Sequence, residues 1–122
     1  MQDLPILHKL SEFYKLFYLY REKFPQKDKY ALGGKLEQAL IESLELLFAA
    51  SVSAKDQKNQ ILTRAAIKFD LLKFLVRVAK ELKIMDLKKY VALESQLIEI
   101  GKMLGGWQRS LKENSPQREF SD

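Results

Sequence analysis

The apolar positions of this chain recur at helical spacing and divide it into four long segments. From about Pro5 to Phe24, residues Ile6, Leu10, Phe13, Phe17, Tyr20 and Phe24 alternate at four- and three-residue intervals, which places them on one helical face. Pro5 suits a first helical turn. Pro25 ends the segment, because proline has no N–H and pushes the preceding residue out of helical geometry. A second helix is expected from about Lys29 to Val52, with Leu36, Leu40, Leu44 and Leu47 on its apolar side. The polar link Ser53-Ala54-Lys55-Asp56 leads to a third helix, with Asp56 as its expected N-cap.

The third helix is expected to extend to about Ile84. Its apolar residues (Leu62, Ala65, Phe69, Leu72, Phe74, Leu75, Val76, Val78, Ala79 and Leu82) cover well over half the circumference. A band that wide can bury against two neighbours. Met85 and Asp86 form the next turn, Asp86 being placed to cap the fourth helix. That helix carries a heptad seam: Tyr90, Leu93, Leu97, Ile100, Leu104, Trp107 and Leu111. Strand-like alternation is missing, and no repeat of solenoid period is evident. Short links favour antiparallel neighbours, so the expected fold is all-α, an antiparallel up-down four-helix bundle. It forms one domain over residues 1–112, followed by a polar and flexible tail at 113–122.

Length and composition agree with this expectation. A chain of 122 residues buries roughly two-thirds of its unfolded surface around one core. It has no cysteine, which excludes disulfides and thiolate metal sites. The longest unbroken apolar run, Leu46 to Ala50, is too short to span a bilayer, and the charged N-terminus does not read as a signal peptide. A cytoplasmic protein is expected.

The net charge of +5 is unevenly spread. Residues 55–84 hold eight basic against three acidic side chains, whereas 113–122 is net acidic. At 100° per residue Lys73, Arg77 and Lys80 fall within about 60° of one another, a stripe that a phosphate backbone can follow. Asp70 and Glu81 border the stripe, while Arg64 and Lys68 point toward the side of Leu75 and Leu82. A solvated face is the plain alternative for such a charge excess.

Catalytic chemistry finds little support. The single histidine, His8, has no accompanying triad or zinc motif, and no Glu-x-x-His unit marks a di-metal bundle. Leu32-Gly33-Gly34-Lys35 lacks the earlier glycine, the following Ser/Thr and the strand of a phosphate loop. No enzyme activity, metal or cofactor is expected. The aromatics of the first helix read as core, with Tyr14 and Tyr18 lying off its main seam.

Glycine within a helix costs about 0.5–1 kcal/mol relative to alanine, yet the fourth helix contains Gly101, Gly105 and Gly106. Gly105-Gly106 can end a helix in a left-handed cap, but Trp107 and Leu111 continue the seam beyond them. Gly101 and Gly105, four residues apart, then share a face that admits a close neighbour from the same chain or from another copy. With Trp107 they are the candidate oligomer or helix-contact residues.

Three stretches, taken together, resemble a known family. Lys23-Phe24-Pro25 followed by Lys29-Tyr30-Ala31-Leu32-Gly33, the run Leu75-Val76-Arg77-Val78-Ala79-Lys80-Glu81-Leu82-Lys83, and Ile100-Gly101-Lys102-Met103-Leu104-Gly105-Gly106-Trp107 are similar to the accessory variability determinant (Avd-like) family of diversity-generating retroelements. That family is related to the four-helix-bundle proteins encoded in 23S rRNA intervening sequences. The Ser-x-x-Asn-Ile-Ala-Glu-Gly-like stretch of the latter is missing, which favours the Avd side. The resemblance covers roughly residues 10–112. It implies a homopentameric, barrel-like ring without catalytic activity that binds RNA or RNA/DNA hybrid and a reverse transcriptase. Arg77, Lys80 and Lys102 match its basic pattern best. The alternative function is an oligomerisation scaffold of the intervening-sequence type, with a protein partner and no nucleic-acid role.

Overall fold

The structure, a computed structural model, describes residues 3–113, and among them it contains helices and turns but no strand. The elements are α1 (Asp3–Arg21), α2 (Gln26–Lys29), α3 (Leu32–Val52), α4 (Lys55–Glu81) and α5 (Leu87–Glu113). The four long helices form a bundle in which α1 and α4 each pack against both α3 and α5. Two side-chain pairs show that α1 and α5 run antiparallel, and a third joins the middles of α4 and α3. Lys9, in the first half of α1, reaches Glu99 near the middle of α5 at 3.0 Å, whereas Lys89 at the start of α5 lies 5.7 Å from the Tyr20 ring at the end of α1. Lys68 of α4 crosses to Glu42 of α3 at 3.1 Å.

The seam residues fill the centre. Ile6, Leu10, Phe13 and Phe17 share one buried core with Leu36, Leu40 and Leu47. The α5 seam contributes Leu93, Leu97, Ile100, Leu104 and Trp107. Each large apolar side chain so buried stabilises the fold by about 1.5–3 kcal/mol. The one buried polar residue of the described core, Ser43, donates its hydroxyl to the Ala39 carbonyl at 2.8 Å and leaves nothing unsatisfied.

Several boundaries differ from the periodicity-based expectation. Helix α1 stops at Arg21, not Phe24. The chain then turns, with the Lys23 and Phe24 amides donating to the Tyr20 and Arg21 carbonyls, each at 3.0 Å. Phe24 nevertheless enters the core, edge-on to Phe17 with ring centroids 6.3 Å apart. Pro25 opens the single turn of α2: its carbonyl accepts from Asp28 at 2.9 Å and Lys29 at 3.0 Å. The second long helix therefore begins at Leu32 and not at Lys29.

Arg21 organises this corner. Its Nε donates to the Lys29 carbonyl at 2.8 Å, its Nη1 lies 3.0 Å from Glu37, and its guanidinium sits 5.6 Å from the Tyr30 ring. Gly33 leaves the room for it. A Cβ there would lie 3.0 Å from Arg21 Nε and 3.3 Å from the Asp28 carbonyl oxygen.

At the next corner Ala54, not Asp56, occupies the N-cap of α4, and it makes no side-chain cap bond. Asp56 lies within the first turn, where its charge complements the helix dipole. Lys58 reaches back to the last carbonyls of α3, those of Ala50 at 2.7 Å and Ser51 at 3.3 Å. Helix α4 ends at Glu81, short of Ile84, because Lys83 takes a left-handed φ of 60°. The Ile84 and Lys83 amides then donate to the Ala79 and Lys80 carbonyls, each at 2.9 Å, a Schellman closure that tucks Ile84 into the core. Asp86 caps α5 as expected, its Oδ1 accepting from the Lys89 amide at 2.8 Å. Helix α5 continues through all three of its glycines to Glu113. The tail assigned to 113–122 lies outside the described residues except for Glu113.

The Tyr14 hydroxyl donates to Glu37 Oε2 at 2.8 Å, joining α1 to α3 beside Arg21. That bond, reinforced by Arg21 against the opposing effect of burial, holds the Glu37 carboxyl below its ordinary value of 4.5. The same bond, with burial, raises Tyr14 above 10.0. A depressed carboxylate contributes stability above its unfolded value and loses it as pH falls through its folded value. A raised phenol contributes below its unfolded value and loses it as pH rises through its folded value. Glu37→Gln is expected to lower stability by about 1 kcal/mol at neutral pH, an amount reduced by the partial exposure of the pair. Urea midpoints should show this difference vanishing below the carboxylate range. A difference independent of pH would contradict the assignment.

Candidate nucleic-acid interface

The rotation of α4 about its axis decides which of its side chains reach the surface. Leu62, Ala65, Phe69, Leu72, Val76 and Ala79 form the buried stripe. This leaves Lys73, Arg77 and Lys80 exposed along the edge that faces α5. Each cation lies near an aromatic ring: Lys73 Nζ is 6.0 Å from Phe69, Arg77 Cζ 5.8 Å from Phe74, and Lys80 Nζ 5.1 Å from Tyr90. Such contacts contribute about 0.5–1 kcal/mol at exposed sites and restrict the long side chains without neutralising them. Ion pairs among the described residues engage Lys9, Lys15, Arg21, Lys29 and Lys68, and none engages Lys73, Arg77, Lys80 or Lys102.

A groove of about 450 Å³ runs between α4 and α5 behind this stripe, lined by Lys73, Phe74 and Arg77 on one side and Tyr90, Glu94 and Ile98 on the other. It adjoins a second hollow of about 370 Å³, which shares Lys73 and Ile98 and adds Gly101, Lys102 and Gly105. The fold thus brings Lys102 to the wall opposite Lys73. The Glu94 carboxylate beside the Tyr90 hydroxyl, and after it burial, raise the Tyr90 phenol above its ordinary value. Tyr90 therefore stays a hydrogen-bond donor at neutral pH.

The glycines of α5 shape that groove. A Cβ at Gly101 would lie 3.5 Å from Phe69 Cε2, and one at Gly105 would lie 3.4 Å from the mobile end of Arg109. Both are near ordinary contact, so within the chain the tight glycine is Gly33 and not this pair. Trp107 is buried at the far end of the α5 seam.

Other sequence candidates lie elsewhere. His8 is exposed and 3.7 Å from Glu12 on its own helix. Tyr14 is committed to Glu37, and Tyr18 is exposed on α1. Lys68 is paired with Glu42, and Arg64 is solvent-exposed.

Two apolar residues assigned from spacing to the third helix's buried band, Phe74 in α4 and Leu82 just after it, are instead exposed, at 54% and 63%. Phe74 borders the outer face of Ile67 and Leu71, the three at i, i+4 and i+7, and Ile67 and Leu71 are exposed too. The signal was in the sequence: the wide apolar band of α4 is two stripes, of which the bundle buries one. The groove walls were harder to foresee, because Tyr90 reads as an ordinary seam position.

The fold and its surface define an all-α helical-bundle protein with a basic edge beside a groove of mixed charge. A model of the bAvd-like family matches residues 4–111, and the chain belongs to that family. No curated protein matches the chain.

Proposed function

We propose that this chain is a nonenzymatic, cytoplasmic accessory protein of a diversity-generating retroelement, holding RNA or RNA/DNA hybrid together with a reverse transcriptase. Membership of the bAvd-like family supports the accessory role. The observation that carries the nucleic-acid reading is the stripe of Lys73, Arg77 and Lys80, exposed and free of carboxylate partners among the described residues, with Lys102 across the groove. Cations in this arrangement neutralise successive phosphates and release their counterions without reading base sequence. None of the described helices is long and apolar enough to cross a membrane.

The working form is a homo-oligomer, a pentamer on the family resemblance. The outer pair Ile67 and Leu71 supports self-association, since water-facing apolar side chains at helical spacing gain by meeting another surface. Repeating the basic edge around a ring multiplies a weak individual contact by avidity. The reverse transcriptase is the expected protein partner of the assembled surface.

Two measurements test these statements. Filter binding of single-stranded RNA should show affinity falling with salt, and Lys73→Glu/Arg77→Glu/Lys80→Glu should reduce the log–log slope by about 2. Lack of binding near ~50 mM salt, or affinity indifferent to the triple reversal, would refute the electrostatic mechanism. Sedimentation equilibrium should show an oligomer that Ile67→Glu/Leu71→Glu dissociates into folded monomers. A wild-type monomer at micromolar concentration would refute assembly.

A further inference from the structure

We infer that the groove between α4 and α5 is a base pocket, which takes one unpaired guanine of a single-stranded nucleic acid whose phosphates follow Lys73, Arg77 and Lys80. The inference rests on the nucleic-acid reading above and adds to it a base contact that phosphate binding alone does not require.

The groove's size and walls suit a flat ring. Its volume of about 450 Å³ is that of a small-molecule site. Phe74 and Ile98 lie on its two walls, 54% and 47% exposed, while Leu97 at its base is buried. A base stacked inside a duplex hides both faces, whereas an unpaired one can lay a face on an aromatic ring. Arg77, 5.8 Å from the Phe74 ring, adds a cation beside the same surface.

The charges of the groove select what enters. Lys73 and Arg77 line the groove from the exposed edge of α4, and the carboxylates of Asp70 and Glu94 line it beside them. Neither carboxylate is ion-paired among the described residues, and Glu94 accepts from the Tyr90 hydroxyl while retaining lone pairs for a further donor. Ionised carboxylates only accept hydrogen bonds, so they repel phosphate and attract N–H donors. Guanine alone among the common bases presents two adjacent donors, its ring N1–H and its exocyclic amine. Adenine and cytosine place an unprotonated ring nitrogen next to the amine, and uracil flanks its single N–H with carbonyls. With the phosphates held by the lysine and arginine ends, the base whose two adjacent donors can pair side by side with one of these carboxylates is guanine.

The test uses the full-length chain and fluorescence anisotropy with three probes: a dodecamer of uridine with one central guanosine, the same dodecamer with a central adenosine, and a duplex of equal length. The guanosine probe should bind about tenfold tighter than the adenosine probe, the value of one good bidentate contact. Phe74→Ala should weaken both single-stranded probes about tenfold and leave the duplex unchanged. Glu94→Gln, close in size to the native residue, should erase the guanosine preference and retain adenosine binding. Equal binding of all three probes, unaffected by either variant, would overturn the base pocket and leave phosphate binding standing. A Phe74→Ala effect without a guanosine preference would overturn the choice of guanine. Failure of every probe to bind would overturn both readings.

Discussion

The packing of one stripe of α4 is the constraint on which the rest of the molecule depends. Leu62, Ala65, Phe69, Leu72, Val76 and Ala79 are buried between α3 and α5, and these contacts set the rotation of the helix. Once that rotation is set, no other side chain of α4 is free to choose its surroundings. Lys73, Arg77 and Lys80 fall on the α5 edge, Ile67 and Leu71 fall on the outer face, and Phe74 stands between the two at the groove's rim. Rotation of α4 by one residue, about 100°, would bury charge and expose Phe69. The hydrophobic effect, which has no direction of its own, thereby places the cations.

The glycines acquire different meanings once the helices are in place. Gly33 admits the Arg21 guanidinium, which ties α1, α2 and α3 together through Lys29 and Glu37. Gly101 and Gly105 thin the outer wall of α5 where the groove opens. The helix-propensity cost of the first offsets a steric conflict inside the chain. That of the second pair has no comparable return within one copy, which is consistent with a surface meant for an external occupant.

The four long helices and most of the core were legible from spacing, because each helix buries one stripe and the stripes are strict. The α5 seam is the clearest case: Leu93 to Trp107 are buried in the order the heptads require. Corners were less legible. The end of α1 and the extra turn of α2 depend on Arg21 bonding to a carbonyl eight residues away, and no local pattern announces such a contact. Lys83 accepts a left-handed conformation that glycine would adopt more readily, so the end of α4 carried no glycine signal. The basic stripe was legible as charge, but its groove arises only when Tyr90 and Glu94 of α5 meet it across the bundle.

The central claim is that nucleic acid binds at the α4–α5 edge and not elsewhere on this basic molecule. Titrating isotope-labelled protein with a short single-stranded RNA and following the backbone amide resonances tests it most directly. The account predicts shifts concentrated on Lys73, Phe74, Arg77, Lys80, Tyr90, Ile98 and Lys102. Shifts centred instead on the outward surfaces of α1 and α3, or none at saturating RNA, would contradict it.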